Sequence, residues 1–227
     1  MERKLAAILA TDIVGFAGLV SRDESGTLAK LKRLERDVIG MQVEANRGRV
    51  FKSTGDGFLA EFSSTQEAVN CAIGIQKACA REALQSGGDD PLVLRIGISL
   101  GDVVVQGDDL LGEGVNTAAR LEAMAEPGGI AVSSEVQSQI RDKTDLPLED
   151  CGHKRLKKTD APIHVYMTRS KPGHSVGFLD FDEDDLAKTI VTGGCLCGSV
   201  RYEIHAPAIS TGYCHCNCCR KFSGSAV

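Results

Sequence analysis

The sequence predicts an α+β fold: a ferredoxin-like βαββαβ unit with additional C-terminal elements, then a short cysteine-rich β fragment. Three observations predict it. Apolar runs of strand length alternate with segments whose apolar residues recur at helical spacing. Two of the strand-like runs flank a tight turn, "STGDG". Six of the nine cysteines crowd into the last stretch, where a new strand pattern begins.

Each element follows from its residues. "KLAAILATDIVGFAGL" reads as a buried strand running into a glycine-containing loop. "DESGTLAKLKRLERDVIGMQVEAN" repeats Leu28, Leu31, Leu34, Val38 and Ile39 at helical spacing, with Asp23 or Ser25 as cap. "GRVFKSTGDGFLAEF" is a hairpin. "STQEAVNCAIGIQKACAREAL" is a second amphipathic helix, opened by Ser64 or Thr65 with Glu67 placed for a capping box. "LVLRIGISLGDVVVQG" is apolar and β-branched, long enough for one strand or a bent pair. "EGVNTAARLEAMAEPGG" is a third helix, stopped by Pro127 and two glycines. "IAVSSEV" and "IHVYMT" read as closing strands, and the order suggests a sheet with helices on one face. The expected domains are residues 1–168, a linker over 169–188 rich in Gly, Pro and acidic residues, and a cysteine-rich segment over 189–227.

Composition narrows the function. With 42% hydrophobic and 25% charged residues the chain can bury a core. A net charge of -5 argues against a nucleic-acid polymer as partner. No apolar run reaches the ~20 residues of a membrane span. Asp12 interrupts the N-terminal apolar run, which is read as a strand and not as a leader, so no membrane partner is expected and a cytoplasmic location is.

Asp12 ends an apolar strand, where an ionised group is costly unless something positive compensates it. Asp56 sits at the turn of the next hairpin, and Asp-Gly there could serve the turn alone. If the strands are neighbours, the two carboxylates converge. A carboxylate pair with no fixed Lys or Arg between them suits a hard divalent cation such as Mg2+. After Asp12, the glycines of "IVGFAG" leave the backbone around Gly15 and Phe16 open to a phosphate. Two cations there would activate an attacking oxygen and stabilise leaving pyrophosphate.

The blocks "LAAILATDIVGF", "VFKSTGDGFLAEF", "LRIGISLGDVVVQGDDLLGEGVNTAARLEAMAEPGGIAVS" and "HKRLKKTDAPIHVY", in this order over residues 3–168, resemble the class III nucleotide cyclases. The resemblance implies that Asp12 and Asp56 bind two Mg2+ or Mn2+ ions per site, with the Ile13 carbonyl as a further ligand. It implies that Arg95 and Lys157 contact the triphosphate, with Lys154 and Lys158 close enough to confuse the second assignment. Lys52 and Asp109 match the pair that reads the purine edge. Asn116 and Arg120 match the pair that orients the ribose and stabilises the transition state. Those two lie four residues apart, so one helical face presents both. Arg suits charge developing on phosphoryl oxygens. The implied reaction is ATP to 3′,5′-cyclic AMP and pyrophosphate, in a head-to-tail homodimer whose sites each draw on two chains. Ala17 stands where the family often has threonine. The alternatives are a catalytically silent cyclase fold acting in dimerisation or regulation, and a zinc-dependent carbon–sulfur lyase acting through the C-terminal segment.

Of the cysteines, Cys71, Cys79 and Cys151 are scattered and expected to be structural thiols. Cys195 and Cys197, then Cys214, Cys216 and Cys219 as C-x-C-x-x-C, have spacings that suit tetrahedral zinc. Reduced thiols without metal are the plainer alternative. "GGCLCGSVRYEI" and "GYCHCNCCRKFSGSA" resemble the start of the glutathione-dependent formaldehyde-activating enzymes, over residues 192–227. In that family Cys195 and Cys197 would be half of a structural site completed by a later C-x-x-C. Cys214, Cys216 and Cys219 would form the catalytic site, with Cys218 additional and His215 a spare donor. The sequence ends at Val227 without the later C-x-x-C, so the resemblance implies a truncated zinc segment without lyase activity.

Overall fold

The computed structural model describes residues 2–85, 91–144, 146–155, 162–169, 191–194 and 201–204. The chain divides into two compact units, the second of which contains the 191–194 and 201–204 segments.

The first unit is built on strand β1 (Glu2–Ile13), whose central residues Ala6 to Ala10 are all buried. Helices α1 (Phe16–Arg22) and α2 (Glu24–Arg33), a π-helical stretch (Leu34–Gly40) and α3 (Met41–Ala45) follow. Hairpin β2 (Arg49–Ser53) and β3 (Gly57–Phe62), helix α4 (Thr65–Gln85) and the long strand β4 (Leu94–Gln106) complete the βαββαβ order. Added to it are β5 (Asp109–Leu111), α5 (Glu113–Met124), β6 (Ile130–Ser133), α6 (Ser134–Ile140), β7 (Leu148–Lys154) and β8 (Ile163–Thr168). The sheet runs β2-β3-β1-β4-β6-β8-β7, with β5 paired to β4. Its first four strands are antiparallel, as a split βαβ pair requires. The β4/β6 pair is parallel.

Side-chain alternation assigns the two faces. Ala6, Ile8 and Ala10 of β1 pack with Val103, Leu110 and Ala118, and so lie under α5. Ala7, Leu9 and Ile13, with Phe58, Ala60 and Phe62 of β3, are buried on the opposite face. There α4 runs against β1, β3 and β4, and Gln76 donates to the carbonyls of Leu94 and Gly129 at 3.1 and 3.0 Å. Helices therefore cover both faces, not one. The sequence beyond α4 holds enough apolar helix to bury the second face as well.

Three local expectations change. The first helical region is split: Asp23 caps α2 by accepting from the Gly26 amide at 2.9 Å, and the chain then passes through the π-helical stretch before α3. "IAVSSEV" is a strand only to Ser133 and continues as α6. "LEDCGHK" forms an edge strand, β7, that its polar composition concealed.

Gly97 is the point on which α5 rests. A Cβ there would collide with the Ala118 carbonyl and the Glu122 amide, all backbone. Gly97→Ala is therefore expected to cost about 3 kcal/mol of stability, because neither rigid element can retreat. Gly18→Ala, inside α1 with open space around it, should be neutral or stabilising by up to ~1 kcal/mol. Urea unfolding of both variants checks the contrast; equal midpoints would refute the seat.

In the second unit the described backbone is an antiparallel hairpin of β9 (Val191–Gly194) and β10 (Arg201–Ile204). No helix among the described residues is long and apolar enough to cross a membrane.

Candidate active site

The "GDG" of the first hairpin has two glycines for two reasons. Gly55 has φ +99, which L side chains rarely adopt. A Cβ on Gly57 would strike the Thr11 carbonyl. The turn is thus pressed onto the end of β1: Gly57 pairs with Asp12, and the Ile13 amide donates to the Asp56 carbonyl at 3.0 Å. The Asp56 backbone is tied beside Asp12, and both carboxylates help to raise a third.

That third carboxylate is Glu122 on α5. Its side chain is 13% exposed. Burial first, then the charge of Asp12, and more weakly that of Asp56, push its pKa up to about 7, against a lowering by Arg95. Arg95 on β4 is paired directly with Asp12 on β1, and its Nη2 donates to Asp12 Oδ2 at 2.7 Å. A fixed guanidinium therefore stands at Asp12, one of the two carboxylates expected to hold a cation. β4 neighbours β1 directly, so strand order delivers a guanidinium to Asp12. Arg95 Nε approaches Glu122 Oε1 to 3.3 Å, but the N–H is not aimed at the oxygen, and both buried atoms lack a hydrogen bond.

Lys52 and Asp109 meet although they lie far apart in sequence: Lys52 Nζ donates to Asp109 Oδ2 at 2.6 Å. A bulge makes this possible. Val50 pairs with Ala60 and Lys52 with Leu59, so Phe51 is an inserted residue that turns Lys52 onto the α5 side of the sheet. Arg49 then binds Glu61 through Nε at 2.7 Å and the Asp108 carbonyl through Nη1 at 2.9 Å. It ties the β4–β5 turn to β2. Asp109 also accepts from the Leu110 amide, and the bond from Lys52 lowers its pKa.

Asn116 and Arg120 stand apart from both groups. Gly114, Ala118, Leu121 and Ala125 of the α5 segment are buried, and at 100° per residue Asn116 and Arg120 fall on the far side of the helix. Asn116 is exposed and Arg120 half-buried. Within one chain no hydrogen bond or ion pair joins them to Asp12, Asp56, Lys52 or Asp109. Gly15, with φ +67, turns the chain from β1 directly into α1 at Phe16. Lys154 closes β7, while Lys157, Cys195, Cys197, Cys214, Cys216 and Cys219 lie outside the described residues. Cys71 and Cys79 are buried, and burial pushes each thiol up to about 12. Cys151 is half-buried.

The donor set near Asp12 fits a hard divalent cation. It consists of carboxylate and carbonyl oxygens on adjacent strand ends. Among the described residues no three His, Cys, Asp or Glu side chains converge on one point; Asp12 and Asp56 are neighbours through their backbones, not members of a cage. Sequence reasoning missed Glu122 and Arg49. The signal for Glu122 was a charged residue directly beside the buried stripe of α5; for Arg49 there was none without the fold.

Comparisons with known proteins bear on the family and the fold. The family model for the adenylate and guanylate cyclase catalytic domain matches residues 2–169. The model for the glutathione-dependent formaldehyde-activating enzyme matches residues 190–227. Putative adenylate cyclase 3 of Rhizobium meliloti is 43% identical over 171 residues, which cover 75% of this chain and 29% of that protein. The crystal structure of an adenylate/guanylate cyclase/hydrolase from Silicibacter pomeroyi superposes with TM-score 0.69 at 38% identity, covering 73% of this chain and 96% of that one. The adenylyl cyclase CyaB from P. aeruginosa superposes with TM-score 0.64 at 25% identity, covering 75% and 97%. The family model's match over residues 2–169, on a chain folded as a βαββαβ sheet with added elements, places this chain in the class III adenylate and guanylate cyclase catalytic domain family.

Proposed function

We propose that the chain is an adenylate cyclase that converts ATP to 3′,5′-cyclic AMP and pyrophosphate as a head-to-tail homodimer. Residues 1–168 would be the catalytic domain, 169–188 a linker and 189–227 a zinc-binding segment. The observation that carries the reading is the 2.6 Å pair of Lys52 and Asp109. It presents a donor and an acceptor side by side, as adenine N1 and its 6-amino group require. Guanine presents the opposite order and would leave both groups unpaired.

Asp12, Asp56 and the Ile13 carbonyl would hold Mg2+ or Mn2+. Bound there, the cation would lower the barrier to attack by the ribose 3′-oxygen on the α-phosphorus and offset charge on pyrophosphate. Arg95 is half-exposed beside them and can turn its planar fork to the triphosphate. Gly15 has open space beside its Cα, and the backbone of Gly15 and Phe16 would receive phosphate oxygens there. Asn116 and Arg120 face away from their own chain's Asp12, so they serve the site of a second copy. There Asn116 orients the ribose and Arg120 meets charge developing on the phosphoryl oxygens. Lys157 would add a second cationic contact to the triphosphate. The relatives named adenylate cyclase support the same substrate.

The test is incubation of purified protein with ATP or GTP and Mn2+, with products identified by chromatography. Cyclic AMP, formed at least ~100-fold more efficiently than cyclic GMP, is expected. Preference for GTP would overturn the substrate reading. No cyclic product from either nucleotide would favour a silent cyclase fold.

A further inference from the structure

Glu122 belongs to the Asp12 neighbourhood but has no part in the reaction above. One guanidinium, that of Arg95, lies between two carboxylates. It is well aligned with Asp12 at 2.7 Å and misaligned with Glu122 at 3.3 Å. The misalignment leaves Arg95 Nε and Glu122 Oε1 buried without hydrogen bonds, which is costly for charged groups. Neither end can drift away. The Arg95 backbone is paired with Asp12 in the β1–β4 ladder, one pair from its end, and the Glu122 backbone rests on Gly97, two residues further along β4. The remaining freedom is rotation of the fork. Turned onto Glu122, it would satisfy both orphaned atoms and leave the Asp12 carboxylate clear. Glu122 is not itself a third ligand, since no three such donors converge among the described residues.

We propose that Glu122 is a positioning residue: it is the second anchor of Arg95, and drawing the guanidinium onto it clears Asp12 for a divalent cation. The proposal rests on the reading of Asp12 and Asp56 as the cation-binding pair. Without Glu122, Arg95 has Asp12 as its sole anionic partner among the described residues, and a cation must compete with it directly.

The experiment is Mn2+ binding to the full chain, followed by calorimetry or by the spin resonance of free Mn2+, independently of turnover. Asp12→Asn is the control. Glu122→Gln should weaken binding about tenfold, the scale of one charged hydrogen bond. In an Arg95→Gln background the same change should cost less than about threefold, because Glu122 then acts only through its distant charge. Glu122→Asp, which keeps the charge but shortens the reach, should fall between in the Arg95 protein. It decides the matter by the same cycle if the Gln variant does not fold. An equal factor in both backgrounds, or no change in either, overturns the proposal while leaving the cation pair intact. If the unmutated protein binds no Mn2+, or Asp12→Asn binds it as well, the cation reading fails and this proposal fails with it.

Discussion

Asp56→Asn is expected to lower turnover on the order of 10³-fold, about 4 kcal/mol of barrier, with the fold intact. The two halves of this expectation come from different atoms of one residue. The Asp56 carbonyl holds the Ile13 amide at 3.0 Å, and that bond survives the substitution. Gly55 and Gly57 shape the turn without help from the Asp56 side chain. What changes is one anionic oxygen near Asp12, and a neutral amide oxygen holds a hard cation more weakly than a carboxylate does. Asp12→Asn is a less clean experiment, since it also releases Arg95 from its 2.7 Å bond. Steady-state assay with Mn2+, alongside circular dichroism and thermal unfolding, checks both halves. Undiminished turnover would mean that Asp56 serves the turn alone.

Why was so much of this legible beforehand, and where did legibility stop? Local chemistry was readable: the strand into Asp12, the "GDG" turn, the Asp23 cap and the end of α5 at Pro127 are each set by a few adjacent residues. So was the pairing of Lys52 with Asp109, but only through the family resemblance. Nothing in spacing predicts a bulge at Phe51, and without it Lys52 would face the other side of the sheet. Long-range neighbours were not readable. Arg95 meets Asp12 because β4 lies beside β1, and Glu122 joins them because Gly97 admits the α5 backbone. The placement of helices on both faces likewise depends on which side of the sheet α5 crosses, a choice made by packing and not by periodicity. β7 was missed because an edge strand need not be apolar.

The second large effect is on base choice. Joint replacement Lys52→Glu and Asp109→Asn should lower the ATP-to-GTP efficiency ratio by about 10²-fold or more. Glu would accept from guanine N1–H, and the Asn amide would donate to O6, reversing the order of donor and acceptor. Asp109→Asn alone should give a smaller fall, because the amide can present either its oxygen or its nitrogen. Stability should barely move: the Lys52 and Asp109 side chains are 43% and 35% exposed, and ion pairs in that setting contribute little. The brace that holds the pair, Arg49 on Glu61 and on the Asp108 carbonyl, is untouched by either change. Separate kcat/KM values for the two nucleotides are the measurement. A parallel loss with both would show that the pair merely ties β2 to the β4–β5 turn, and the choice of ATP would then have to be made elsewhere in the site. A ratio that falls while the melting temperature holds would locate base reading at these two side chains, where a sheet bulge and a strand turn bring them within one hydrogen bond of each other.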